Sequence, residues 1–199
     1  MKVSSRVLLL GDSRLRRVSD AVTPIVRNQA TFDRHCAVLT HELGEFRKKH
    51  GFGRAIAAPQ LDISYRMIAM NLNGKYKNLP GMSNPSETLI LVNPEIIKKS
   101  EDSKFTLWDD CMSFPDLFVK VERYEKIAVK WTDVNLERTY VWDLDHIRID
   151  LSELLQHEID HLDGILATDL ALDKDSFVYR PVFENNKAHF QSLVDYTIE

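Results

Sequence analysis

Leu154-Leu-Gln-His-Glu-Ile-Asp-His-Leu-Asp-Gly164 sets two histidines four residues apart, with a glutamate directly after the first. Positions i and i+4 share a helical face, so the imidazoles of His157 and His161 can converge on one ion with Glu158 beside it. A helix is predicted over roughly Leu151 to Leu162, ending near Gly164. Upstream, Asp150-Leu151-Ser152-Glu153 fits a capping box loosely, with Asp in place of the usual Ser or Thr. Glu153 also stands four residues before His157, on the same face as both histidines.

Two imidazoles leave the ion in need of a third ligand. In one group of metalloproteases the motif extends to HExxHxxGxxH; Gly164 fits that extension, but Ala167 stands where the third histidine belongs. Glu184 lies at a tolerable distance for a downstream carboxylate ligand, without the surrounding motif that usually accompanies one. The stretch Asp109–Pro115, DDCMSFP, offers Cys111, whose thiolate beside two imidazoles would leave a fourth position open for water. The stretch Gly53–Gln60, GRAIAAPQ, adds a small-residue segment ending in an amide able to donate to negative charge developing on oxygen. His41-Glu42-Leu43-Gly44-Glu45 begins like the histidine motif, lacks the second histidine and reads as an ordinary helix face.

Outward from these motifs, the chain of 199 residues with 44% hydrophobic composition is long enough for a substantial core, and residues 1–199 are read as one domain. A formal net charge of -4 argues against a general polyanion-binding surface. The basic runs Arg14-Leu15-Arg16-Arg17 and Arg47-Lys48-Lys49 are short solvated faces, so no nucleic-acid partner is expected. There is no run of 18 apolar residues, and Val7–Leu10 is too short for a signal-peptide core, so no membrane association is expected. Two cysteines, Cys36 and Cys111, are too few for a disulfide framework and favour a reducing compartment, the cytoplasm or an organelle.

Phe32, Cys36, Leu39, Leu43 and Phe46 form one apolar stripe, predicting an N-terminal helix that Gly51 can terminate and placing Cys36 in the core. Met67–Met70, Leu89–Val92 and Ile127–Trp131 read as strands. The order helix, strands, helix predicts an α+β fold in which a helix packs on sheet.

The three chemical stretches, in this order, resemble the peptide deformylases, whose motifs are GxGhAAxQ (h apolar), EGCxS and QHExDH. Here they stand as GRAIAAPQ, DDCMS and QHEIDH; the resemblance extends through Val92–Ile96, VNPEI, and covers the chain from about Val7 to Asp169. It implies a central HExxH-bearing helix packed among antiparallel sheets. It implies Cys111, His157 and His161 as metal ligands, with iron(II) the physiological ion and zinc, nickel or cobalt able to replace it; the donor set alone suits several of these. Glu158 would be the general base and acid, and the Gln60 amide and Met112 backbone N–H the oxyanion donors. The substrate would be an N-formylated peptide or nascent chain, and the products formate and a free amino terminus.

By the same resemblance the substrate meets Gly53, Arg54, Ala55, Ile56, Asp110, Glu153 and Leu154. Several of these depart from the family pattern. Arg54 stands where a Val or Ile lines the methionine pocket, Ala55 replaces Gly, Asp109-Asp110 replaces Glu-Gly, and Glu153 replaces an apolar residue. Arg54 and Glu153 carry opposite charges, so a polar first pocket with a contact between them is one expectation. The other is that Glu153 caps its helix and Arg54 turns outward along the rim. A polar pocket would favour a different N-acylated substrate on the same fold; a relative that kept its metal only for structure is the third reading.

Overall fold

The computed structural model describes residues 7–198 except 77, 83, 85, 144 and 145. After a 3-10 turn at Ser13–Arg16, the chain forms a single helical turn, α1 (Pro24–Arg27), capped by the Thr23 hydroxyl. The predicted N-terminal helix follows as α2 (Ala30–His50). Phe32, Leu39, Leu43 and Phe46 are buried, and Cys36 packs half-buried beside them as a free thiol. Gly51 ends the helix at φ 79°, its N–H bonded to the Arg47 carbonyl at 2.9 Å, the left-handed cap a residue without Cβ adopts most readily.

Eight strands are described: β1 (Ala55–Ala57), β2 (Met67–Met70), β3 (Leu89–Lys99), β4 (Lys104–Asp110), β5 (Leu117–Tyr124), β6 (Ile127–Thr132), β7 (Thr139–Trp142) and β8 (Phe177–Tyr179). Among the described residues they make two antiparallel sheets, ordered β1-β2-β3-β6-β7 and β4-β5-β8. The register of β3 against β6 shifts between Val92 and Glu95, where Asn93 adopts φ 50°. Its side-chain amide accepts from the Val22 N–H at 2.8 Å and donates to the Val22 carbonyl at 2.9 Å, tying the N-terminal segment to the sheet.

Helix α3 (Ile149–Leu162) carries the histidines and is wedged between the sheets. Leu151, Leu154, Leu155, Ile159 and Leu162 pack with Trp131 and Trp142 over the five-stranded sheet. On its other side Gln156 holds the end of β5, accepting from the Tyr124 N–H at 3.0 Å and donating to the Tyr124 carbonyl at 2.9 Å. A helix covered on two faces needs few solvated side chains, and even the polar Ser152, Glu153, Gln156, His157, Glu158 and His161 are buried. Two short helices, α4 (Arg180–Asn185) and α5 (Lys187–Gln191), pack Phe183 and Phe190 against Trp108 and Phe118 of the smaller sheet.

The arrangement is the expected α+β fold with its HExxH helix among antiparallel sheets. One local expectation is corrected. Helix α3 begins at Ile149 with Arg148 at the N-cap and no side-chain cap, so Asp150 lies in the first turn. Asp150 accepts instead from the Tyr76 hydroxyl, and Glu153 pairs with Arg54. No helix of the described residues is long and apolar enough to cross a membrane.

Candidate active site

Helical spacing sets the His157 and His161 rings 4.9 Å apart, centroid to centroid, on one face of α3. Strand β4 runs toward them and delivers Cys111 just past its last residue, with Sγ 3.2 Å from Nε2 of His161. One ligand atom from each of Cys111, His157 and His161 lies within 4.8 Å of the others, and all three side chains are buried. Among the described residues no further His, Cys, Asp or Glu joins this group. Glu184 is exposed on α4 and outside it, so the alternative third ligand weighed from sequence does not reach the histidines.

Asp109, two residues before Cys111 on β4, aims its carboxylate at the same helix. It lies 3.0 Å from Nδ1 of His157 and accepts from Arg123 Nη2 at 3.0 Å, while Arg123 reaches Asp160 with its other amino group. Burial pushes the Asp109 carboxyl up, but His157 and Arg123 outweigh it and hold the group below the ordinary carboxylate range. The acceptor on Nδ1 sets the tautomer that leaves Nε2 of His157 for an ion.

The donor set fits a divalent ion. Burial pushes the Cys111 thiol up against the pull of His157, so a buried thiolate there calls for a nearby cation. Two donors already face the sulfur: the Ser113 N–H at 3.4 Å and Gln60 Nε2 at 3.5 Å. Burial holds His161 well below its ordinary pKa, which keeps the imidazole neutral as coordination requires. Three protein donors with a fourth position open is the pattern of a catalytic centre, not a closed structural one. Next to it, burial raises the Glu158 carboxyl to about 7, and its Oε2 has no hydrogen-bond partner among the described residues.

Gln60 enters on a 3-10 turn (Ala58–Leu61) after β1. Its Oε1 accepts from the Ala57 N–H at 2.9 Å, which orients the amide so that Nε2 donates to Ser113 Oγ at 3.1 Å beside the cysteine. Met112 buries its side chain among the residues under α2.

These groups open onto a cleft of about 340 Å³. Gly53, Arg54, Ala55, Asp110, Glu153 and Leu154 line it, together with Gln60, His157 and Glu158. Gly53 has φ 107°, and a Cβ there would stand 3.3 Å from the Phe46 ring, so any side chain at this position would be strained. Ile56 does not line the cleft. Strand alternation turns its side chain to the other face of β1, where it is fully buried with the α2 core. The Asp110 carboxylate turns to Arg180, which donates at 2.8 Å and lies between the Phe52 and Phe118 rings at 4.3 and 4.2 Å.

Sequence reasoning noted Asp109 only as a departure, quoted Ser113 only as part of its motif, and did not see Arg123. The signal for Asp109 was its i, i+2 relation to Cys111, which in a strand puts both on one face. Arg123 has no such signal, because it reaches Asp109 across a strand pair. Tyr196, Thr197 and Ile198 also line the cleft, brought there by Asp195, whose carboxylate accepts from the Thr106 N–H and hydroxyl at 2.9 and 2.8 Å.

A family model described as polypeptide deformylase matches residues 4–176. A peptide deformylase of Roseiflexus sp. (strain RS-1) is 35% identical over 61% of this chain and 65% of its own length, so the chain spans just under two thirds of that relative. Peptide deformylase 1 of Vibrio vulnificus (strain YJ016) is 31% identical over 91% of this chain and 95% of its own. Among solved structures, a peptide deformylase from Legionella pneumophila aligns with TM-score 0.67 and 26% identity over 94% of this chain and 95% of its own. A Met-Ala-Ser-bound class I type b peptide deformylase from Acinetobacter baumannii aligns with TM-score 0.64 and 27% identity over 85% and 99%.

Proposed function

The chain belongs to the polypeptide deformylase family, and on that premise we propose that it removes the formyl group from N-formylated peptides or nascent chains, releasing formate. The observation that carries this is the buried Cys111, His157 and His161 cluster with a partnerless carboxylate oxygen of Glu158 beside it. We assign the three residues as ligands of one divalent ion, iron(II) in the working enzyme, with zinc, nickel or cobalt able to occupy the same donors. Such an ion supplies a Lewis acid that polarises the formyl carbonyl and lowers the pKa of water.

The remaining steps fall to the chain's own residues. Glu158 takes a proton from the attacking water as the new C–O bond forms, and passes a proton to the peptide nitrogen as the C–N bond breaks. A carboxyl with a pKa near 7 suits both directions of that transfer. Gln60 Nε2 and the Met112 N–H donate to the oxygen of the tetrahedral intermediate. Asp109 holds His157 in orientation through Nδ1, and Arg123 holds Asp109. Gly53, Arg54, Ala55, Asp110, Glu153 and Leu154 border the substrate; Ile56 acts from behind as packing. We place this activity in one catalytic domain, residues 1–199, working in the cytoplasm or an organelle.

A second reading is favoured by one observation, the ion pair between Arg54 and Glu153 at the cleft. It keeps the reaction and changes the acylated substrate.

Metal analysis of anaerobically purified protein tests the ligand set: one divalent ion per chain is expected, and Cys111→Ala should lose it. Full occupancy in that variant would return the third-ligand question to the neighbouring carboxylates. Metal should also leave once acid protonates the ligands, because the imidazoles must be neutral and the thiol ionised to coordinate. Glu158→Gln should keep the ion and lower kcat by about a hundredfold or more. Undiminished turnover in that variant would remove Glu158 from proton transfer.

A further inference from the structure

Arg54 separates two spaces. On one side is the cleft containing His157 and Glu158; on the other is a hollow of about 90 Å³ lined by Leu72, Tyr76 and Asp150. The guanidinium is fixed between them at two points on the first turns of α3. Its Nη1 donates to the Asp150 carbonyl at 2.8 Å, and Nη2 pairs with the Glu153 carboxylate. Behind it, the Tyr76 hydroxyl donates to the Asp150 carboxylate, and both residues line the hollow. Glu153 is 2% exposed, so the pair cannot separate without leaving a buried carboxylate alone.

We infer that Arg54 fills the space that would take the first side chain of the substrate, so that this chain does not select for methionine and accepts N-formyl peptides whose first residue is short, such as Gly, Ala or Ser, about as well. The inference rests on the deformylase reading. With the formyl group at the metal ligands, the first side chain leaves from a carbon one bond beyond the scissile nitrogen. Of the side chains lining the cleft, Glu153 and Leu154 lie on the helical turn just before His157, and the Arg54 guanidinium is bonded to that turn. A long apolar side chain entering there must displace the guanidinium from both anchors and strip Glu153 of its partner. A side chain of one carbon or none meets neither. An open apolar pocket would favour methionine over alanine by about ten- to a hundredfold; a filled one forfeits that factor.

The test compares formyl-Ala-Ala-Ser with formyl-Met-Ala-Ser by kcat/KM on the metal-loaded full chain, and the products Ala-Ala-Ser and Met-Ala-Ser by calorimetric affinity. Both are measured for the parent and for the pair Arg54→Val with Glu153→Ile, whose folding is checked by thermal melting. The parent should favour methionine by less than threefold in both measurements, and the folded double variant by tenfold or more. Parent discrimination for methionine above threefold would overturn the inference, with or without a usable variant. A folded double variant that gained no preference would overturn it as well. No formate from either peptide, alongside equal binding of the two products, would count against the deformylase reading and still support the filled subsite.

Discussion

Glu153 has almost no access to water, and its charge rests on one guanidinium. Burial raises its carboxyl from an ordinary 4.5 to about 7, with Arg54 pulling the other way. An acid raised in the folded state favours folding in its protonated form: the contribution is complete below about pH 4.5 and is lost as the pH rises through about 7. Glu153→Gln cannot ionise, so its stability relative to the parent should improve across that window, by about 3 kcal/mol at most. Urea unfolding of both proteins at fixed metal loading from pH 5 to 8 measures this difference. A flat difference would mean that Arg54 keeps Glu153 ionised throughout. The two histidines and Glu158 were legible from sequence because helical spacing alone decides which side chains share a face, whereas Cys111 was legible only through its motif. Asp109 and Arg123 depend on strand pairing, and the direction of Ile56 depends on which face of β1 meets α2.

At the scale of elements, the two helix ends that sequence marked with glycine differ in what surrounds them. Gly51 has φ 79° and open space where a Cβ would point, whereas a Cβ on Gly164, at φ 72°, would stand 2.5 Å from the Arg16 carbonyl oxygen. Gly51→Ala should cost about 1 kcal/mol, the strain of the left-handed conformation alone. Gly164→Ala adds a backbone collision between the end of α3 and the N-terminal turn, and should cost about 3 kcal/mol or more. Equal midpoints in urea would show that the N-terminal turn yields without resistance. The strands β2, β3 and β6 were legible as apolar runs with turn residues at their ends. Strands β4 and β5 were not, because each has one face toward solvent and carries Lys104, Lys120 and Glu122 among its apolar residues.

Across the whole molecule, the site exists only where the two sheets meet. The five-stranded sheet supplies Ala55 and, through the turn after β1, Gln60; the smaller sheet supplies Asp109 and Cys111; α3 between them supplies both histidines and Glu158. The segment ending in Tyr196–Ile198 lines the cleft through contacts with β4, a placement that no local pattern in its residues announces. The direct measurement of the central claim is formate released from an N-formyl-Ala-Ala-Ser peptide by the iron- or nickel-loaded protein, beside the Glu158→Gln protein at equal metal content. Sustained multiple turnover by the parent and at least a hundredfold slower release by the variant are predicted. No release by a parent with full metal occupancy, or equal release by both proteins, would contradict the account.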